Sequence, residues 1–389
     1  MPGLAADRPL RVLFIIDDLY TGGAERGLVE EVLAFETGRV RPQIVVLQGG
    51  ESSELTSEVR IGGIPVQNMW SSGLLDPWRF IRLVWLIRRL RPDIVQTSLD
   101  YANMLGVLTA RLAGIPVVSS LRSTITQQSR GGTLKRALHN LIIRWGSARV
   151  MMVANSAVDE AARECNLPVD RVVAMPNAID LDRVEPARLA NRATVRQAIK
   201  VPSDVPLACV VARLDEVKGH RYLLDAIPLM KLRDTPLHFV LVGIGSYGDD
   251  TVERNIRSQA AALGLSERIH LVGERTDVLE IMASSDLFVL PSLKEGLSRA
   301  LLEAMALSLP VIATDAGGHR DVLGTNATGW CIPTEDPVSL ARAIDEALDD
   351  PTEARQRGKR AHALITDRFS IRAHVERLEA LYREVVEAR

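Results

Sequence analysis

An α/β fold of two domains on parallel sheets is what this chain predicts, on three observations. Strand-like and helix-like runs alternate through both halves, as βαβ units require. The length of 389 residues exceeds one ordinary domain and suits two, each with a substantial core. Periodicity breaks at MPNAIDLDR, so the boundary follows Pro176. The domains are accordingly drawn as residues 1–178 and 179–368, with 369–389 as a terminal helix.

In the first half, strands are expected over 11–16, 43–47, 64–68, 93–97, 117–120 and 150–153. The second half repeats the rhythm over 207–211, 238–242, 269–272, 287–290, 310–313 and 329–332. After Asp367, the run FSIRAHVERLEALYREVVEA reads as one amphipathic helix, with Ile371, Val375, Leu378, Leu381 and Val385 on one face.

Charged residues at 25% and hydrophobic ones at 47% describe a soluble globular protein. The net charge of −2 hides an asymmetry: residues 79–149 hold twelve Lys or Arg against Asp93 and Asp100, a local net of +10. Two helix candidates in this stretch, PWRFIRLVWLIRRL and TLKRALHNLIIRW, mix basic residues with Trp, Phe, Leu and Ile. Core helices with solvated arginines account for the apolar residues, but not for 71 residues without a glutamate. Contact of Arg88, Arg89, Lys135 and Arg136 with an anionic membrane or a phosphate-bearing acceptor accounts for both. Nucleic acid is disfavoured, because no binding motif accompanies the charge. The three cysteines lie far apart without metal-ligand spacing, which suits a reduced compartment. The opening MPGLAADRPLRVLFIID offers five apolar residues before Asp17, too few for a signal peptide or a span, so a cytosolic location is expected.

The segment FVLPSLKEGLSRALLEAM is the most informative for function. Its pair Glu295 and Glu303 is not remarkable for spacing, since Glu376/Glu384 and Glu379/Glu387 repeat it in the last helix. Context separates them. Pro291 and Ser292 stop a short strand, Gly296 allows a sharp turn, and Ser298 can cap the helix that follows. Glu295 then lies in the loop at the carboxyl end of a strand, where open α/β sheets bind ligands. Glu303 lies five positions into the helix, roughly 7 Å along its axis. Carboxylates accept from hydroxyls and free N–H groups at a helix start attract negative charge, a layout that suits a nucleotide-sugar.

Other features carry two readings. Arg213 and Lys218 could each be a surface charge, but together, in one loop after a strand and beside Gly219, they suit a diphosphate. Gly22 and Gly23 make either a tight βα turn or a close backbone approach to a donor or acceptor; Gly317 and Gly318 have the same standing. Gly243, Gly245 and Gly248 match a dinucleotide fingerprint by spacing, but the acidic residue expected about 20 positions on is missing, so a plain turn is preferred.

These motifs resemble those of the retaining glycosyltransferases of family 4. The E-x7-E signature is FVLPSLKEGLSRALLEAM, the basic pair lies in VVARLDEVKGH, the glycine loop is DDLYTGGAER, and the inter-domain stretch is VVAMPNAID. All four stand in the family's order over nearly the whole chain. Many members carry a histidine in loops corresponding to QTSLDYAN or SSLRST, where this chain has Ser98 and Arg122, and Ala178 replaces a frequent glycine.

The resemblance implies the GT-B architecture: two facing Rossmann-like domains, with a terminal helix crossing back to the first. It implies transfer of a sugar from a nucleoside diphosphate sugar to an acceptor hydroxyl with retained configuration, without metal or cofactor. Glu295 would hold the sugar's hydroxyls, and Arg213 and Lys218 the diphosphate. Gly296, Leu297 and Ser298 would face the phosphate or sugar, Glu303 the ribose, and Gly273, Glu274 and Arg275 the base. Asn103 and Arg122 fall on the acceptor side. With the basic stretch, the implied acceptor is a lipid-linked or membrane-assembled glycan. A nucleotide-sugar epimerase, a phosphorylase of the same architecture, or a non-catalytic sugar-nucleotide binding protein are the alternatives.

Overall fold

The structure, a computed structural model, describes residues 8–20, 22–49, 53–69, 76–121, 133–231, 237–245, 248–324 and 326–388. The chain forms two compact units, one running to Ala178 and resuming at Ile371, the other comprising Ile179–Ser370.

The first unit is built on a parallel sheet of β1 (Leu10–Ile16), β2 (Val40–Val46), β3 (Val66–Asn68), β4 (Ile94–Ser98), β5 (Val117–Leu121), β6 (Arg149–Met152) and β7 (Val172–Ala174). Its spatial order is β3-β2-β1-β4-β5-β6-β7. Helices cover both faces, so the central strands read as continuous apolar runs such as LRVLFII rather than alternating ones. Strand β7 is absent from the sequence prediction: its three residues, VVA, are too few to show a period. Chain order reverses beside β1, which pairs with β2 on one side and β4 on the other. This is the switch point, where the loops after β1 and β4 diverge and leave a crevice.

The terminal helix Ile371–Glu387 belongs to this unit. Val375, Leu378, Leu381, Tyr382 and Val385 share one apolar cluster with Phe14, Leu28 and Phe35. A buried polar network accompanies the apolar seat. His374 Nε2 lies 3.3 Å from a Glu31 oxygen, Gln96 Nε2 donates to the other Glu31 oxygen at 3.3 Å, and the Tyr382 hydroxyl donates to Gln96. These bonds form away from water, which orients the helix as well as holding it, although His374 Nδ1 is left without a partner among the described residues.

The second unit has a parallel sheet of β8 (Leu207–Val211), β9 (His238–Val242), β10 (Ile269–Gly273), β11 (Leu287–Leu290), β12 (Val311–Thr314) and β13 (Trp330–Ile332), in the order β10-β9-β8-β11-β12-β13. Its switch point lies between β8 and β11, paired through Leu287↔Ala208 and Phe288↔Cys209. Behind the sheet, Arg196 is fully buried. Its guanidinium donates to the carbonyls of Ser284 (3.1 Å) and Val205 (2.6 Å) and to Asp286 (2.9 Å), joining the segments before β8 and before β11. Among the described residues no helix is long and apolar enough to cross a membrane.

Leu378 has no exposed surface, so Leu378→Ala removes a full side chain from the seat of the last helix. The expected loss is about 2–5 kcal/mol of first-unit stability, read as a lowered midpoint in a urea titration.

Candidate functional site

At the second unit's switch point, the loops after β8 and β11 are joined to each other. After β8 come Arg213, Asp215 and a single 3-10 turn, Glu216–Lys218, closed by Gly219 in the left-handed region at φ 66°. A Cβ on Gly219 would also collide with the Pro291 carbonyl, so only glycine lets the two loops approach this closely. Leu293 N donates to Val217 O at 2.8 Å and completes the junction.

Across this junction Lys218 Nζ donates to Glu295 Oε1 at 2.6 Å, and Ser292 Oγ donates to the same oxygen at 2.8 Å. Both bonds land on Oε1, leaving Oε2 without a hydrogen-bond partner among the described residues. The Lys218 and Glu295 side chains are only 16% and 11% exposed. Burial alone pushes the Glu295 carboxyl up, but the charges of Lys218 and His319, with the hydrogen bonds from Lys218 and Ser292, outweigh it and hold the group below the ordinary glutamate range.

The loop after β12 backs this arrangement. Gly317 has φ 58°, and a Cβ there would meet the Glu295 carbonyl, so the Gly317–Gly318 turn lies directly on the Glu295–Gly296 backbone. Thr314 Oγ1 donates to Ser292 O at the closely spaced junction of β11 and β12, and His319 Nδ1 lies 2.9 Å from Thr314 O. Ser292 reads in the sequence only as a strand stop, and its hydrogen bond to Glu295 three residues on appears only in the structure; His319, from the next loop, leaves no signal in the sequence.

Ser298 caps the helix Arg299–Ala306 by accepting from Leu301 N at 3.4 Å, as the sequence reading requires. Leu297 and Gly296 are buried beside it. Glu303, one helical turn deeper, is engaged by Arg183 and lies 3.9 Å from Arg299. Arg183 comes from the helix Leu181–Val184 in the MPNAIDLDR stretch, a partner that spacing could not reveal. Arg213 differs from Lys218: its side chain is 63% exposed and lies 3.3 Å from Asp215.

Gly273 ends β10 at φ 71°. Glu274 next to it is exposed, and Arg275 forms a two-bond pair with Asp277 at 2.8 and 2.7 Å. Gly243 leaves β9 at φ 141°, where a Cβ would strike the Ala212 carbonyl. Close packing against the loop after β8 therefore explains this glycine. Among the described residues, no group of three His, Cys, Asp or Glu side chains is placed to hold a metal ion.

The first unit carries a carboxylate at its own switch point. Asp17, directly after β1, accepts from Tyr101 N (3.2 Å) and Ala102 N (2.5 Å) at the start of the helix Asp100–Leu112. Burial raises its pKa to about 7 against those two hydrogen bonds. Gly22 precedes the helix Gly23–Ala34 with an extended backbone at φ −162°, so its conformation does not itself demand glycine. Asn103, expected on the acceptor side, is instead fully buried. It accepts from Thr97 Oγ1 at 2.7 Å and donates to Ser120 O at 3.2 Å, which commits its amide to the interior. Arg122 lies outside the described residues.

The basic stretch divides into interior and surface. Arg79 is buried, donating to Leu47 O at 2.9 Å and the Tyr101 hydroxyl at 2.6 Å. Arg88, Arg89, Lys135 and Arg136 are exposed. They lie on the helices Pro77–Leu90 and Thr133–Gly146, whose inner faces share one core through Leu83, Ile87, Ile142 and Ile143. The helix Asp100–Leu112 touches both. Arg88 donates to Leu112 O at 3.0 Å, and Arg111 lies over the Trp145 ring, 5.5 Å from its centroid. On the outside, Trp78, Ile81 and Trp85 recur at helical spacing on one helix and Leu138, Leu141 and Trp145 on the other, all exposed.

Residues 21–183 match the family model described as Glycosyltransferase Family 4, and residues 191–363 the model described as Glycosyl transferases group 1. Alpha-D-kanosaminyltransferase of Streptomyces kanamyceticus is 26% identical over 92% of this chain and 98% of its own length. UDP-Gal:alpha-D-GlcNAc-diphosphoundecaprenol alpha-1,3-galactosyltransferase of Escherichia coli is 25% identical over 94% of each chain. Among solved structures, Anabaena HepE in complex with UDP and glucose has a like fold, with a TM-score of 0.85 at 19% identity over 96% of this chain and all of that one.

Lys218 is the largest of the influences that hold the Glu295 pKa down. Replacing it in Lys218→Met removes both its charge and its hydrogen bond, so the Glu295 carboxyl should move upward, read by carboxyl NMR titration. In the unchanged protein the depressed pKa contributes stability above the ordinary range and loses it as pH falls through the folded-state value. The variant should show a weaker acid limb.

Proposed function

Because the chain belongs to glycosyltransferase family 4 and has the GT-B fold of glycosyltransferases, we propose that it transfers a glycosyl group from a nucleoside diphosphate sugar to an acceptor hydroxyl with retention of configuration, independently of metal. The observation that carries this reading is the Lys218–Glu295 junction at the switch point of the second unit. Lys218 and Arg213 stabilise negative charge as it develops on the leaving diphosphate, the role a divalent ion otherwise fills. Glu295, with Oε2 unengaged, accepts from hydroxyls of the transferred sugar. The start of the helix Arg299–Ala306 adds backbone N–H groups for phosphate or sugar, and Glu303 serves the ribose. Gly273, Glu274 and Arg275 serve the base, and Gly22 and Gly23, at the start of the helix Gly23–Ala34, would let a ligand approach the backbone there. Attack occurs on the face from which the nucleotide departs, with the leaving phosphate oxygen taking the acceptor's proton, so no enzyme nucleophile is needed.

For the acceptor, we infer a lipid-linked or membrane-assembled glycan, met by a cytosolic enzyme that docks reversibly on an anionic membrane face. What supports this is the outer surface of the two basic helices, where Trp78, Trp85 and Trp145 are 73%, 59% and 55% exposed among arginines and lysines. Aromatic rings suit the interface, and each basic side chain near an anionic surface contributes about 1 kcal/mol. The Escherichia coli relative carries diphosphoundecaprenol in its name, which agrees with such an acceptor.

Glu295→Ala should lower kcat far more than it weakens binding of the bare nucleoside diphosphate, and Glu303→Ala should do the reverse, with turnover surviving EDTA in the parent enzyme. Steady-state kinetics beside nucleotide titrations separate the two. Equal loss of nucleotide binding in both variants would overturn the division of roles.

Vesicle co-sedimentation checks the membrane. Binding should rise with anionic lipid, fall with salt, and weaken when Arg88, Arg89, Lys135 and Arg136 are replaced together. Indifference to lipid charge at low salt would indicate a soluble acceptor.

A further inference from the structure

Glu303 takes its hydrogen-bond partner, Arg183, from a segment 120 positions earlier in the chain. That segment is fixed on both sides of the arginine. Before it, Ile179 N donates to Phe369 O at 2.8 Å, and Asp180 caps the helix Leu181–Val184 by accepting from Asp182 N at 3.0 Å. After it, Val184 is fully buried, and Arg188 donates to Ala306 O at 2.6 Å and to Ser308 Oγ at 3.1 Å. The segment therefore grips the helix Arg299–Ala306 at two points: its last carbonyl through Arg188, and the Glu303 side chain through Arg183.

The second grip engages one half of the carboxylate. Arg183 donates to Oε1, and the Arg299 guanidinium, from the preceding turn of the same helix, lies 3.9 Å from that same oxygen. Oε2 has no hydrogen-bond partner among the described residues. An ionised carboxylate has lone pairs and no donor, so Oε2 can serve only an incoming N–H or O–H. A glutamate side chain is flexible, and fixing it on binding costs rotamer entropy. Held at Oε1 and only 13% exposed, the Glu303 side chain has lost that freedom before a ligand arrives.

We propose that Arg183 is a positioning residue for ribose recognition, holding Glu303 by Oε1 so that Oε2 is presented to the 2′- and 3′-hydroxyls of the donor's ribose. It thereby sets a preference for ribonucleotides over nucleotides that lack those hydroxyls. The inference rests on the donor reading, in which Glu303 serves the ribose; Arg183 itself touches no ligand. Without its guanidinium, the cation left beside Glu303 is Arg299, at ion-pair rather than hydrogen-bond distance, and the carboxylate is free to change rotamer.

Binding is measured by calorimetric titration of UDP, GDP and their 2′,3′-dideoxy counterparts into the full chain. The ribonucleotide that binds the parent protein should do so about tenfold or more tightly than its dideoxy counterpart, the scale of hydrogen bonds to a charged group. In Arg183→Met the ribonucleotide should weaken about tenfold while the dideoxy form changes little, so the preference is lost. Arg183→Lys, which keeps a cation near Oε1 without the planar fork, should show an intermediate preference, and it serves if the methionine variant fails to fold. Arg188→Ala removes the other grip: it should lower the midpoint of a urea titration yet keep the parent's preference. A preference unchanged in either Arg183 variant, or one that falls as far in Arg188→Ala, would overturn the proposal, as would equal binding of both forms by the parent. Failure of both UDP and GDP to bind would strike the donor reading itself.

Discussion

The ion pair between Lys218 and Glu295 is the constraint on which the second unit's functional face depends. Two charges taken largely out of water are unfavourable unless their geometry and remaining hydrogen bonds are good. Here the loops after β8, β11 and β12 are shaped to meet that condition. Gly219 lets the lysine loop approach the Pro291 carbonyl, and Gly317 lets the β12 loop lie on the Glu295 backbone. Ser292 supplies the second hydrogen bond to the carboxylate. The two charges neutralise each other, cation against anion. The proposed donor, a sugar nucleotide, would bring both complementary groups, anionic phosphates for the lysine and hydroxyls for the glutamate.

The same logic of mutual satisfaction appears at the terminal helix, with a different outcome. Glu31, His374, Gln96 and Tyr382 bond to one another in the first unit's interior, far along the chain from each other. Around them the apolar face from Val375 to Val385 is fully packed. Apolar contact alone would allow the helix to slide along its axis or rotate about it. The polar network requires one register, because any shift leaves a buried acceptor unpaired. Residues 371–388 are therefore part of the first unit's structure rather than an appendage.

The first unit's basic helices differ again. Their inner faces are ordinary core, and Arg79 shows that a basic residue in this stretch can be an interior tie between Leu47 and Tyr101. The outer faces keep exposed tryptophans at helical spacing beside exposed arginines and lysines. The neighbouring guanidiniums of Arg89 and Arg111 lie over Trp85 and Trp145. Charge and aromatic surface are thus combined on one face, which is the composition that an anionic interface favours.

The order of strands and helices was legible in the sequence because parallel strands buried on both faces leave unbroken apolar runs, while amphipathic helices leave a 3.6-residue period. The Ser298 cap, the strand before Glu295 and the apolar face of the last helix could be read for that reason, each being a local pattern. Strand β7, at three residues, is shorter than any period and was not. Neither Arg183 facing Glu303 nor His319 behind Glu295 leaves a local trace, since each meets its partner only after β11 and β12 pair and their loops close. Asn103, which by its loop's resemblance belonged with the acceptor, proved to be spent inside on Thr97 and Ser120. Sequence determined which residues could bear charge at the ends of strands; tertiary structure decided which of those charges are paired, because pairing depends on distances that exist only once the sheet has formed.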